Sequence, residues 1–205
     1  MTGKARRSPS SAMRPSNFNE LAELPQSDYV CAPLCFPAVF TPGECDAILA
    51  IDGDRASYRS GLLHPVEGYR SALTSWIPPC PARSFIDERL DSLVRNVNRR
   101  YRFDLAAFEE HILVSRYQVG DHFDWHIDSV EKENSLRKLS ISVQLSEPAD
   151  YDGGALEFMP HGEVVFSRDR GSAILFPAYL CHRVTPITRG MRASLVTFAL
   201  GPTFR

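Results

Sequence analysis

From residue 110 onward the chain breaks into short apolar or alternating runs, at 111–118, 136–146, 154–158, 172–176, 182–187 and 191–199, separated by clusters of Gly, Pro and Asp. Runs of this length are too short for amphipathic helices and suit strands, and several strands cut by turn signals predict a β-sandwich, jelly roll or barrel. One run is especially informative. Leu139, Ile141, Val143 and Leu145 fall on one strand face, and Ser140, Ser142 and Gln144 on the other. An apolar face opposite a small polar one predicts a sheet backed by helices on one side and lining a wet cavity on the other. The chain shows no internal repeat and no sign of a second domain.

Two helices are expected ahead of the strands. In TPGECDAILAI, Thr41 is placed to cap and Glu44 stands three residues on, with apolar residues at 45, 48, 49 and 51. From Pro81 to about Tyr101, Ile86, Leu90, Leu93, Val94 and Val97 form a single helical stripe opposite Arg and Asp. The fold class is therefore mostly β with flanking helices. A chain of 205 residues with 43% hydrophobic content buries roughly 70% of its unfolded surface, so it needs no disulfide or metal to fold. The opening stretch holds Lys4, Arg6, Arg7 and Arg14 and no acid before Glu20. It lacks an amphipathic face, so residues 1–25 are read as a disordered basic tail before a single domain over 26–205, with order beginning near Asp28.

A net charge of -2 and a pI near 6.3 offer no general attraction to nucleic acid or an acidic membrane. No apolar run approaches the ~18 residues needed to span a bilayer. Five cysteines (Cys31, Cys35, Cys45, Cys80 and Cys181) form no CxxC pair, which fits free thiols in a reducing compartment. The expected location is the cytoplasm.

The chemistry concentrates in SRYQVGDHFDWHIDS. His126 and Asp128 stand two apart, so at a strand end both side chains project from one face and can grip one ion. Alone, an H-x-D pair is weak. Further on, in LFPAYLCHRVTPITRGMRAS, an apolar strand ends at Phe176 and His182 opens the next extended run. A histidine returned by that hairpin completes a face of two imidazoles and one carboxylate, the arrangement of non-haem Fe(II) oxygenases. Arg192 follows ten residues after His182, and Ser194 shares its strand face. A guanidinium beside a hydroxyl is a good seat for a carboxylate, and a co-substrate that chelates iron at one end and carries a free carboxylate at the other requires one.

This pattern of H-x-D, a distant His, and Arg-x-Ser resembles the 2-oxoglutarate/Fe(II)-dependent dioxygenases. It is most similar to their prolyl 4-hydroxylase-like group, including the bacterial PKHD-type hydroxylases. Tyr117, nine residues before His126, the Asp152-Gly153-Gly154 turn, and HRVTPITRG around His182 extend the match. It is close from about residue 110 to 200, looser from 37 to 78 where YRSALTSWIP lies, and does not reach the first 25 residues. The resemblance implies a double-stranded β-helix (a cupin-like jelly roll), with Fe(2+) held by His126, Asp128 and His182. It implies 2-oxoglutarate as co-substrate, its distal carboxylate on Arg192 with Ser194, and Tyr117 in the same pocket. Gln144 stands where some relatives place another pocket residue. Arg192, where many animal prolyl hydroxylases use Lys, leans towards the bacterial type. Asp128 favours hydroxylation, because related halogenases carry a small residue there.

The implied reaction is hydroxylation of an unactivated C–H in an amino acid, a peptidyl residue or a small natural product, consuming O2 and releasing succinate and CO2. The resemblance leaves room for ascorbate and for a homodimer. Two readings stay open beside it: a zinc-dependent hydrolase on the same three ligands, and a non-catalytic cupin-like binding module. A scaffold acting through the basic tail is a third. His122, Asp124 and Trp125 stand between touching the substrate and lying on the rim, and His111 and His161 are read as plain strand and turn positions. Arg70, Trp76 and Arg116 stand between pocket-lining and packing roles.

Overall fold

The computed structural model describes residues 32–53, 57–60, 68–130, 132–159 and 166–203. The basic tail expected over 1–25, the onset of order near Asp28, and His161 lie outside these residues. Among the described residues the elements are β1 (Leu34–Phe36), α1 (Pro42–Gly53), β2 (Ser57–Ser60), β3 (Arg70–Ile77), α2 (Ser84–Tyr101), β4 (Ala107–Phe108), β5 (Ile112–Gln118), β6 (His122–His126), β7 (Arg137–Gln144), β8 (Tyr151–Gly153), β9 (Leu156–Phe158), β10 (Ala173–Pro177), β11 (His182–Val184) and β12 (Ile187–Leu200). No helix among them is long and apolar enough to cross a membrane.

Both expected helices form. The capping box closes as read: the Thr41 backbone N–H donates to Glu44 Oε2 at 2.7 Å and the Glu44 N–H to Thr41 Oγ1 at 3.2 Å, a motif whose cap is worth about 1 kcal/mol. A 3₁₀ turn at Pro81–Arg83 leads into α2, which buries Ile86, Leu90, Val94, Val97 and Tyr101. Each such side chain contributes roughly 1.5–3 kcal/mol through burial. This stripe, Phe40 ahead of α1, and Cys45 and Ile48 within α1 join Leu139, Ile141, Val143, Leu145, Leu175 and Leu195 in the principal core.

The sheet runs β1-β10-β7-β12-β5-β3-β6-β11-β9, with antiparallel pairing along its ladders, and curls into a jelly roll. Strand β3 makes the corner. Its far half pairs with β5, while Arg70 and Ser71 at its start pair with β6. Hydrophobic periodicity does not announce β3, because its buried positions include Ala72, Thr74 and Ser75 as well as Ile77. The runs expected at 182–187 and 191–199 divide differently: β11 is only three residues long and β12 runs unbroken for 14. Gly190, which falls in the gap between those two runs, sits inside β12 at φ +72°, where a Cβ would run into the Asp150 carbonyl. A left-handed glycine lets the strand kink there without ending.

Candidate metal centre and its cavity

Strand pairing alone brings the two histidines together. β6 and β11 are antiparallel neighbours, and His126 and His182 are direct register partners, with ring centroids 4.1 Å apart. Asp128, just past β6, is fixed by backbone: its N–H and that of Ser129 both donate to the Ala178 carbonyl, at 3.0 and 3.1 Å. The result is one His, Asp, His cluster whose ligand atoms all lie within 4.8 Å of one another.

The protonation pattern suits a cation. His126 Nδ1 lies 2.7 Å from the Asp124 carbonyl and His182 Nδ1 2.9 Å from the Leu180 carbonyl. A ring nitrogen facing a carbonyl oxygen must carry the hydrogen, which leaves each Nε2 as a bare lone pair in the neutral ring. Those lone pairs face the Asp128 carboxylate, with Nε2 at 3.6 Å from Oδ1 for His126 and 3.5 Å from Oδ2 for His182. Two imidazole lone pairs and an anion converging in a largely buried place repel one another unless a positive ion stands between them, so the donor set fits a divalent metal with open positions. Burial first, and the neighbouring His182 second, push the His126 pKa down to about 4, so its ring is neutral at ordinary pH. Phe123 stacks on that ring, centroids 3.5 Å apart. Ser140, on the polar face of β7, donates its hydroxyl to Asp128 Oδ2 at 2.6 Å and holds the carboxylate in orientation.

The cluster opens into a cavity of about 770 Å³. Tyr117, Arg192 and Ser194 line it, as do Arg70 and Trp76, while Arg116 lies elsewhere. Arg192 is only 5% exposed, and no carboxylate of a described residue pairs with it. It sits where β12 passes between β5 and β7, opposite Tyr117, whose ring lies 5.8 Å from the guanidinium. Gln144 does not line the cavity. It accepts from Arg192 Nε at 3.1 Å and donates to Tyr151 Oη at 2.8 Å, and Arg168 donates to the same hydroxyl and to the Tyr151 carbonyl. The expected pocket role of Gln144 is thus a bracing position behind Arg192. Gly154, read as a plain turn residue, packs the same side chain: at φ +63° a Cβ there would stand 3.0 Å from Arg192 Cδ and closer still to Ile187.

His122, Asp124 and Trp125 stay off the cavity. His122 bonds the carbonyls of Gly68 and Gly120, and Arg183 lies over the Trp125 ring. Sequence reasoning missed Phe123, Ser140 and Gly154. Ser140 was legible as a polar-face residue, but nothing in its neighbourhood names Asp128 as its partner.

A jelly roll with two histidines and a carboxylate at one end of a cavity and, in the same cavity, an arginine that no described carboxylate pairs with defines the 2-oxoglutarate/Fe(II) oxygenase class. The 2OG-Fe(II) oxygenase superfamily model matches residues 112–200. The chain is 30% identical over 174 residues to a PKHD-type hydroxylase of Synechococcus sp. (strain JA-2-3B'a(2-13)), covering 80% of this chain and 76% of that one. It is 33% identical to one of Caulobacter sp. (strain K31) over 163 residues, 70% and 72% of the two chains. Among solved structures it is similar in fold to a Pseudomonas putida prolyl-4-hydroxylase (TM-score 0.67, 20% identity, 83% of this chain and 92% of that one). It is likewise similar to a Trichoplax adhaerens prolyl hydroxylase in complex with a hypoxia inducible factor peptide fragment (TM-score 0.68, 18% identity, 83% and 84%). The chain belongs to the PKHD-type hydroxylases within the 2OG-Fe(II) oxygenase superfamily. It is a 2-oxoglutarate-dependent oxygenase, and the zinc-hydrolase and binding-module readings fall away.

Proposed function

We propose that this enzyme hydroxylates an unactivated C–H of an amino acid, a peptidyl residue or a small natural product, with release of succinate and CO2. His126 and His182 hold Fe(2+) through Nε2, and Asp128 through one carboxylate oxygen. Arg192 binds the distal carboxylate of 2-oxoglutarate, aided by Ser194 and the Tyr117 wall. The observation that carries this reading is the shared cavity: a metal-fit cluster and a buried arginine without a counter-charge among the described residues line one space.

When bound, ferrous iron with 2-oxoglutarate supplies O2 activation and oxidising power. The chain's own residues do the rest. The two Nδ1–H bonds to backbone carbonyls fix the tautomers and aim both Nε2 lone pairs inward. Ser140 donates to Asp128 Oδ2, which biases the carboxylate towards presenting Oδ1 to a metal held there. Gln144 and Gly154 hold the Arg192 side chain in line. Phe123, Phe176 and Val184 give the cluster apolar walls that keep bulk water from the oxidant. The peptide-bound Trichoplax neighbour supports a peptidyl substrate as one of the classes. Free thiols at Cys35, Cys45 and Cys181 and a ferrous centre both suit a reducing cytoplasm, with ascorbate as an auxiliary reductant.

The test is anaerobic titration of the purified chain with Fe(II) and then 2-oxoglutarate. A weak visible band is expected from the wild type and none from Asp128→Ala. Aerobic incubation with candidate acceptors then gives succinate and a product heavier by one oxygen. A chain that binds Fe(II) yet shows no band, or equal bands in both proteins, ends this reading.

A further inference from the structure

Among the described residues, three arginines line the cavity, and their circumstances differ. Arg137 is neutralised by Glu109 in a two-pronged pair, at 2.9 and 2.8 Å. Arg192 belongs to the 2-oxoglutarate seat. Arg70 has no counter-charge among the described residues. One of its terminal nitrogens donates to Ser115 Oγ at 3.3 Å, and its Nε–H is buried with no acceptor. Asp121, on the turn before β6, is engaged by the Ser71 hydroxyl at 2.5 Å and the Gln118 amide at 2.9 Å.

A guanidinium with a buried, unmet N–H is costly, and an anionic acceptor relieves both its charge and its missing bond. Resting on the function proposed above, the charges of the loaded centre cancel. Ferrous iron with Asp128 leaves one positive charge, and the 2-oxoglutarate dianion with Arg192 leaves one negative. The cavity then keeps the positive charge of Arg70 alone. Its position is also particular. The guanidinium carbon lies 4.6 Å from the Phe123 ring centroid, and that ring is stacked 3.5 Å from His126. Those two steps bound the distance from Arg70 to the metal end.

We infer that Arg70 binds a carboxylate of the primary substrate, so that the substrate is an acid whose attacked C–H lies a few bonds from that carboxylate. A substrate carboxylate would accept from the guanidinium N–H groups that Ser115 leaves unmet. Two sources carry this chemistry: the free α-carboxylate of an amino acid or small acid, and an Asp or Glu side chain in a peptide.

The experiment uses the full chain saturated with Zn(II) and 2-oxoglutarate, a diamagnetic stand-in for the working complex. Saturation is first verified by calorimetry, and absence of 2-oxoglutarate binding there defeats the underlying function before Arg70 is probed. The Arg70 Nε–H resonance, assigned by its loss in Arg70→Gln, is then followed by ¹⁵N NMR against propionate and against propionamide. A saturable shift with propionate and none with propionamide is expected. Equal shifts with both, or none with propionate, overturn the inference. A turnover arm pairs free L-amino acids with their carboxamides, and Asp- or Glu-containing peptides with their Asn or Gln counterparts. Succinate release should depend on the acid, and the class that responds identifies the source. Arg70→Gln should lower kcat/KM for that acid roughly 10- to 100-fold, with partial recovery in Arg70→Lys, while the Kd for 2-oxoglutarate stays unchanged. Carboxamides turned over as fast as acids would falsify the assignment.

Discussion

The two faces of strand β7 divide the protein's labour. On the helix side, Leu139, Ile141, Val143 and Leu145 are fully buried in the principal core. On the cavity side, Ser140 holds Asp128 and Gln144 holds Arg192, each through one hydrogen bond to a residue remote in the chain. The first face is non-directional: apolar area of the right volume suffices, and its energy sums over many contacts. The second is directional, and each polar group matters through one partner. The same strand therefore carries stability on one side and site geometry on the other, and the two should respond separately to mutation.

The largest expected separation comes from Asp128→Ala. Fe(II) retention and turnover should be lost altogether, while the metal-free protein keeps its Tm, since the change removes an anion from between two lone pairs without opening the core. Metal analysis after gel filtration, beside calorimetry, checks both halves, and a collapsed Tm would break the comparison. The mirror case is Leu139→Ala, which should cost about 2–5 kcal/mol of unfolding free energy. In the fraction that stays folded the affinity for 2-oxoglutarate should not move, as denaturation curves and calorimetry on one sample can show. Arg192→Ala should weaken 2-oxoglutarate by roughly 1.5–3 kcal/mol and leave Fe(II) binding in place. Unchanged affinity there would remove Arg192 from the site. Ser140→Ala should weaken Fe(II) about 10- to 100-fold with a small effect on Tm.

A separate expected effect is on pH dependence. The folded pKa of His126 is depressed to about 4, chiefly by burial, while the unfolded ring keeps its ordinary value near 6.5. As pH falls between those values the unfolded state takes up a proton that the folded state refuses. The metal-free protein should therefore lose stability as pH drops from about 6.5 to about 4, by at most about 3 kcal/mol. His126→Phe should flatten that slope in unfolding curves measured across the range.

Much of the helix-side face was legible from the chain. The stripe in α2 and the capping box at Thr41 repeat over a single element, so neighbours in sequence reveal them. The alternation in β7 is local in the same way, and it separated the face that packs from the face that lines the cavity. At the site, the H-x-D pair and Arg192-x-Ser194 were readable because each lies on one strand end or strand face. Strand β3 was not legible, since the small and polar residues it buries blur its alternation. Gln144 is the instructive case. Its face was apparent, but not that a guanidinium and a tyrosine hydroxyl would take up its amide and keep it behind Arg192.

By itself the sequence determined which residue types recur at which spacing. That settled the mostly β architecture, the helices that back it, and three candidate ligands with an arginine further on. Only the tertiary structure decided that His126 and His182 face each other across β6 and β11, that Ser140 meets Asp128, and that Arg70 is left in the cavity without a counter-charge among the described residues. The physical reason is range. Periodicity and capping act over three or four residues, whereas these contacts depend on strand register between segments many residues apart, set by the packing of the whole sheet.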